Sequence, residues 1–201
     1  MAANRLALFA VLGMATISLS TNTFAMLSVP YGWYLEANAG STKAFDQTFP
    51  ANSSVNQSGV GGGLNLGYKF APFFALEAGY TRYANQTIKD QLGATAADNT
   101  NYAWDLTFKG IMPATDTGFE VFGKSGVQRL YSRISLQNSQ AAANIPLSAN
   151  TSSASGLFVG VGGQYYFMPE FAVVGQWTRA KGNGSTGTLD LYSIGVSFIM
   201  S

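Results

Sequence analysis

The sequence predicts an all-β protein, an eight-stranded antiparallel up-and-down transmembrane β-barrel. Three observations predict it. Apolar and polar residues alternate with period two in eight segments of roughly nine to fourteen residues, the pattern of strands with two unlike faces. Short and long connections alternate between those segments, as they do in bacterial outer-membrane barrels. Charge is thin as well: Asp, Glu, Lys and Arg make up 10% of the 201 residues, against roughly 25% in an ordinary soluble domain.

The chain opens with a segment outside this pattern. Arg5 supplies a positive start, Leu6 to Ile17 is an almost unbroken apolar run, and Thr23-Phe24-Ala25 puts small residues before a cut after Ala25. That is the layout of a secretory signal peptide, and the run is shorter than the roughly 20 residues of a spanning helix. Residues 1–25 are therefore expected to be a signal peptide and 26–201 the barrel domain. Removing Arg5 leaves the side-chain charge balanced, ten against ten, from 11 Lys/Arg and 10 Asp/Glu in the whole chain.

The strands are expected at Trp33–Ser41, Gly59–Phe70, Phe73–Ala84, Asn101–Met112, Gly118–Arg133, Ser155–Phe167, Phe171–Lys181 and Thr188–Met200. Ala71-Pro72, Pro113–Thr117 and Met168–Glu170 are the short connections. Residues 42–58, 85–100, 134–154 and 182–187 are the long ones, rich in Ser, Thr, Asn, Ala and Gly. Helical periodicity is absent. The long loops carry little charge and read as exposed, flexible segments that either bind something or merely connect.

Alternation does not say which face is wet. A soluble barrel turns its apolar rows inward, and a membrane barrel turns them outward. The apolar rows here are too bulky for an eight-stranded interior, which side chains only just fill. One carries Trp104, Leu106 and Phe108, another Val159, Val161, Tyr165 and Phe167. The opposite rows carry Gly61, Gly63, Gly67, Gly79, Gly162 and Gly195. The apolar rows therefore face lipid. The lumen then receives Glu36, Asn38, Asn65, Lys69, Glu77, Thr81, Asp105, Thr107, Lys109, Glu120, Lys124, Gln128, Gln164, Gln176, Ser193 and Ser197. Aromatics gather at both ends of the outward rows, as two interfacial girdles would.

Three groups of residues are candidates for function. First, Lys109 with Glu120 and Asp105 with Lys124 share one constant sum of residue numbers. A hairpin register centred between Ala114 and Thr115 would place both opposite-charge pairs directly across from each other. Glu36, Glu77 and Lys69 would extend this lumen ion-pair network. It reads either as a gate that exchanges partners or as a static polar core. Second, Arg82, Arg129, Arg133 and Arg179 fall on the outward parity near the loop ends. There they would meet lipopolysaccharide phosphates or form a solvated rim. Third, Ser193, Gly195 and Phe198 close the last strand.

The chain from residue 26 onward resembles the small outer-membrane β-barrel family that includes the OmpA transmembrane domain and OmpX-like proteins. Ser193-x-Gly195-x-x-Phe198 resembles the C-terminal signal that such barrels present to the assembly machinery, with Met200 where the family usually ends on an aromatic. The resemblance implies export to the cell outer membrane. It implies both termini and the short turns in the periplasm, four loops outside, and membrane lipid and lipopolysaccharide as surroundings. It also implies a monomeric, non-enzymatic surface protein that serves envelope integrity, adhesion or host interaction. No peptidoglycan-binding domain of the OmpA type is expected after the last strand. The runner-up function is a narrow pore. Small apolar solutes would enter if Tyr34, Phe122, Phe158 and Tyr166 lined a slot, as in OmpW-like barrels.

Composition excludes much else. The chain has no Cys and no His, so disulfides, thiolate chemistry, the Ser-His-Asp triad and most zinc or haem sites are gone. Barrel enzymes of the resembled kind rely on a catalytic His. Near-neutral charge leaves no footprint for nucleic acid. Gly59–Gly63 lacks the spacing of a phosphate loop and suits lumen packing instead. No carboxylate ladder suits calcium. No cofactor is expected.

Overall fold

The computed structural model describes residues 29–50, 53–114, 117–145 and 147–200. The expected signal peptide lies outside them. The elements in chain order are β1 (Gly32–Phe45), β2 (Ser54–Val55), β3 (Ser58–Ala71), β4 (Phe74–Arg82), β5 (Gln86–Lys89), β6 (Thr95–Pro113), β7 (Phe119–Leu136), α1 (Ser139–Asn144), β8 (Asn150–Tyr166), β9 (Phe171–Lys181) and β10 (Thr188–Met200).

Eight long strands close the barrel in the order β1-β3-β4-β6-β7-β8-β9-β10, with β10 pairing back to β1 and every pair antiparallel. Closure leaves no strand edge in the lipid, where an unpaired backbone group is costly. The predicted strands are all present. β9 and β10 have the expected bounds, while β6, β7 and β8 run several residues further into the loops.

The apolar rows face out, with Trp104 57%, Leu106 58%, Val161 56% and Ile194 66% exposed. Aromatic pairs band the wall at both ends. Trp33–Tyr68, Phe74–Phe108 and Phe171–Phe198 lie toward the short turns, at centroid distances of 5.2, 5.3 and 4.7 Å. Tyr80–Trp104 and Tyr102–Tyr131 lie toward the loops, at 4.7 and 5.0 Å.

One expectation fails at the β6–β7 hairpin. Lys109 stands opposite Lys124, Asp105 opposite Gln128, and Glu120 opposite Pro113. The expected facing pairs Lys109–Glu120 and Asp105–Lys124 do not form. The hairpin centre lies two residues further on than predicted. A two-residue turn at Ala114-Thr115 would need positive φ at one or both positions, which suits neither residue. Instead the turn is longer. Ala114 N–H donates to the Phe119 carbonyl, and Gly118 takes the left-handed conformation at φ 74°. The partner shifts by an even number of residues, so every side chain keeps its face.

The loops also differ from the flexible connectors expected. β2 pairs with β5, and β5 pairs with the extended start of β6. α1 starts at Asn138, whose side chain accepts from the backbone N–H groups of Gln140 and Ala141. The apolar side of α1, Ala141 and Ala142, packs with Ile145 on Ile88, Ala96 and Ala97. Phe49, Val55, Ile134 and Leu147 close around them. The loops thus have a small core of their own.

Candidate functional site: a packed lumen beneath a loop cap

The lumen is built in layers. Toward the short turns, Tyr34, Ala75, Ile111, Phe122, Tyr166, Ala172, Val174 and Ile199 form an apolar plug. Toward the loops, Ala44, Tyr83, Ala103, Leu130, Phe158, Ala180, Leu189 and Leu191 form a second. Charged and amide side chains fill the space between, and Lys69, Glu120 and Gln164 stand within the first layer, beside Ala75, Phe122 and Tyr166. The inward aromatics therefore split between two packed layers. Among the described residues they do not line one slot.

Two lysines and two glutamates make a closed square. Lys109 Nζ lies 3.2 Å from Glu77 Oε1 and 3.6 Å from Glu36 Oε2. Lys124 Nζ lies 2.7 Å from Glu77 Oε2 and 3.4 Å from Glu36 Oε1. β1 and β7 are four strands apart in the barrel order, so the Lys124–Glu36 bridge crosses the lumen. Asn65 and Gln176 donate to Glu36 Oε1 at 3.0 and 2.8 Å. The Tyr34 hydroxyl donates to Glu77. Tyr34, Gly67 and Glu77 are successive register partners, and the tyrosine ring lies where a side chain on Gly67 would stand.

Lys69 pairs with Glu120 at 3.0 Å. Gln164 links this pair to the square, accepting from Lys109 at 3.1 Å and donating to Glu120 at 2.6 Å. Phe122 places its ring under both central lysines, 4.1 Å from Lys109 Nζ and 5.2 Å from Lys124 Nζ. Buried charges persist only when paired and hydrogen-bonded, and these six are both. Asp105, named with them from the sequence, takes no ion-pair partner among the described residues. The space left beside it is a cavity of about 10 Å³, room for roughly one water.

The four outward arginines do not share one environment. Arg82, Arg129 and Arg133 are exposed on the wall near the loop end. Arg179 is different: its Nε and Nη2 donate to the two oxygens of Asp190 at 2.7 and 2.8 Å. Asp190 is 1% exposed. A fork engaged on a buried carboxylate has fewer N–H groups left for an external phosphate than the other three arginines have. Asp190 was missed in the sequence, although it stands directly opposite Arg179.

At the last strand, Gly195 faces the lumen, and a side chain there would strike the Ala37 carbonyl. Phe198 faces out and packs on Phe171 in the girdle. Ser193 Oγ is buried without a hydrogen-bond partner among the described residues.

The cap is tied together by polar contacts. Asn99 and Asn101 donate to Gln86 at 2.7 and 3.2 Å. Ser132 donates to Asn99 at 2.8 Å, and Gln47 donates to Ser132 at 3.2 Å. Gln47 also donates to the Ser185 carbonyl at 3.1 Å. Asp90 accepts from the Leu92 and Ala94 amides and from the Asn144 side chain at 3.0, 2.9 and 3.2 Å. Covering Asp90 raises its pKa, but these donors outweigh that and hold it below the usual aspartate value. All four long loops therefore contribute to one structure.

The family model for the outer membrane protein beta-barrel domain matches residues 7–199. The chain belongs to that family. Outer membrane protein P5 of Haemophilus influenzae is 32% identical over 116 residues, 57% of this chain and 32% of the relative. The match thus spans about a third of the relative's length. Among solved structures, neisserial surface protein A superposes with TM-score 0.60 at 18% identity, covering 84% of this chain and 97% of the other. OprG of Pseudomonas aeruginosa gives 0.58 at 16%, covering 88% and 100%. Ail of Yersinia pestis, solved with the heparin analogue sucrose octasulfate, gives 0.52 at 12%, covering 84% and 99%. These are outer-membrane barrels, and this member of the family is likewise an outer-membrane protein surrounded by membrane lipid.

Proposed function

We propose that this outer-membrane barrel is a closed, non-enzymatic surface protein whose extracellular cap carries its function, serving envelope integrity and recognition of an external or host surface. The observation that carries the reading is a contrast. The lumen is filled by two apolar layers and a paired charge belt, with a cavity of only about 10 Å³ beside it. The loops, by contrast, are built into a shared cap with its own core. A chain that orders polar loops bears an entropy cost that mere connectors need not bear. Ail, which shares this fold, was solved with a sulfated sugar analogue, and that supports recognition as a use of such barrels. The long loops hold Lys43 and Lys89 against Asp46, Asp90 and Asp98, so their charge does not favour a polyanion. Arg82, Arg129 and Arg133 suit the phosphates of lipopolysaccharide, which anchors the rim. Biogenesis would use the assembly machinery through Ser193, Gly195 and Phe198, and the barrel would work as a monomer.

The test is adherence of bacteria displaying the chain to host cells, against a variant with residues 46–53 and 138–149 replaced by short turns. The variant is expected to fold, shown by its heat-sensitive gel shift, and to lose adherence. Unchanged adherence by the folded variant would refute the reading.

A further inference from the structure

The charge belt leaves one carboxylate over. Glu36, Glu77, Glu120 and Asp105 face inward against Lys69, Lys109 and Lys124, all 8% exposed or less. The three lysines are taken by the three glutamates. Asp105 Oδ2 is buried with no hydrogen-bond partner among the described residues.

The atoms around Asp105 are acceptors. Asn65 and Gln176 both give their NH2 groups to Glu36, which turns their carbonyl oxygens the other way. Gln176 Oε1 is buried and unpartnered, and so is Asn38 Oδ1. Asn65, Gly79 and Asp105 are successive register partners. Gly79 offers no side chain to separate the two flanking oxygens. A methyl built on Gly79 would lie 2.5 Å from Asn65 Oδ1 and 2.5 Å from Asp105 Oδ2. The cavity of about 10 Å³ is lined by Asn38, Asn65, Asp105 and Gln176, with the Thr81 side chain beside them. Lys124 also borders it, but its ammonium is held by Glu77 and Glu36.

We propose that this cavity binds one small monovalent cation, Na⁺ or K⁺, through Asp105 and the carbonyl oxygens of Asn65 and Gln176. Converging oxygens with one surplus negative charge match a hard cation; the donors that also border the cavity are the Thr81 and Thr178 hydroxyls, which can present their oxygens instead, and the Lys124 ammonium, which its glutamates hold. A single carboxylate suits a monovalent ion, and no group of three or more acidic side chains is placed to hold a metal ion among the described residues. The site is independent of whatever the cap recognises.

The test is refolding of the barrel into detergent micelles in NaCl, KCl or choline chloride at equal ionic strength, followed by thermal unfolding. Choline is too large for the cavity. The midpoint is expected a few degrees higher in NaCl or KCl than in choline chloride, because a ligand of the folded state stabilises it. The difference is expected to vanish in Asp105→Asn, which removes the charge. It is also expected to vanish in Gly79→Ala, which fills the space and pushes the two flanking oxygens apart while keeping the Asp105 carboxyl group; this second variant decides the matter if the first does not refold. Equal midpoints in all three salts would mean that water occupies the cavity and would overturn the site. So would a salt difference that survives in either folded variant.

Discussion

Lys109 and Lys124 are direct register partners across β6 and β7, two like charges in a buried lumen. The arrangement holds because neither relies on its own hairpin for compensation. Each lysine binds both Glu36 and Glu77; Glu36 comes from β1 on the opposite wall, and Glu77 from β4 beside β6. The register of one hairpin is thus tied to closure of the whole barrel.

The register has a direct chemical test. The chain has no cysteine, so pairs can be introduced cleanly on the outer face. Phe108→Cys with Ser125→Cys places both at facing positions and is expected to oxidise readily to a disulfide. Phe108→Cys with Val121→Cys, which would face each other in a turn centred at Ala114-Thr115, is expected to stay reduced. The opposite outcome would restore the shorter turn.

Glu36 is where the network is most concentrated, with Asn65, Gln176 and Lys124 on one oxygen and Lys109 near the other. Glu36→Ala is expected to cost about 3–5 kcal/mol, the usual loss when one side of a buried pair is removed. Glu36→Gln keeps the shape and is expected to cost less. Urea unfolding in liposomes measures both. A loss below about 1 kcal/mol for the alanine variant would mean that water replaces the carboxylate at little cost.

The cap is expected to respond to acid through Asp90. Its folded pKa is lowered, so the contacts it makes are at full strength above its ordinary value of 3.8. They are lost as pH falls through the lower folded value. The Leu92 and Ala94 amide resonances are expected to titrate with a midpoint below 3.8, since both donate to Asp90. In Asp90→Asn that titration is expected to disappear. A midpoint above 3.8 would contradict the donor geometry.

Much of the barrel was legible because period-two patterning and lipid demand the same alternation. Trp104, Leu106 and Phe108 had to face out, and Asp105, Thr107 and Lys109 had to face in. Pairing was less legible. A hairpin shift by an even number of residues leaves every face unchanged, so face patterning cannot see it. The visible clue was at the turn: Gly118 could take positive φ, and Ala114 and Thr115 could not. Arg179 and Asp190 show the reverse case. Their residue numbers share one constant sum with the other facing pairs of the β9–β10 hairpin, so the sequence carries that pairing. The cap was hidden because α1 spans only six residues, too short for a periodic signal. Its core depends on contacts between loops far apart in sequence.

Single-channel recording in a planar bilayer asks whether the lumen is sealed. The refolded barrel is expected to be electrically silent, and Lys109→Ala or Asp105→Asn is expected to remain so, because apolar layers lie on both sides of the lysine–glutamate square. Discrete openings in the unaltered protein, changing in frequency with either substitution, would contradict the account and make the lysine–glutamate square a gate.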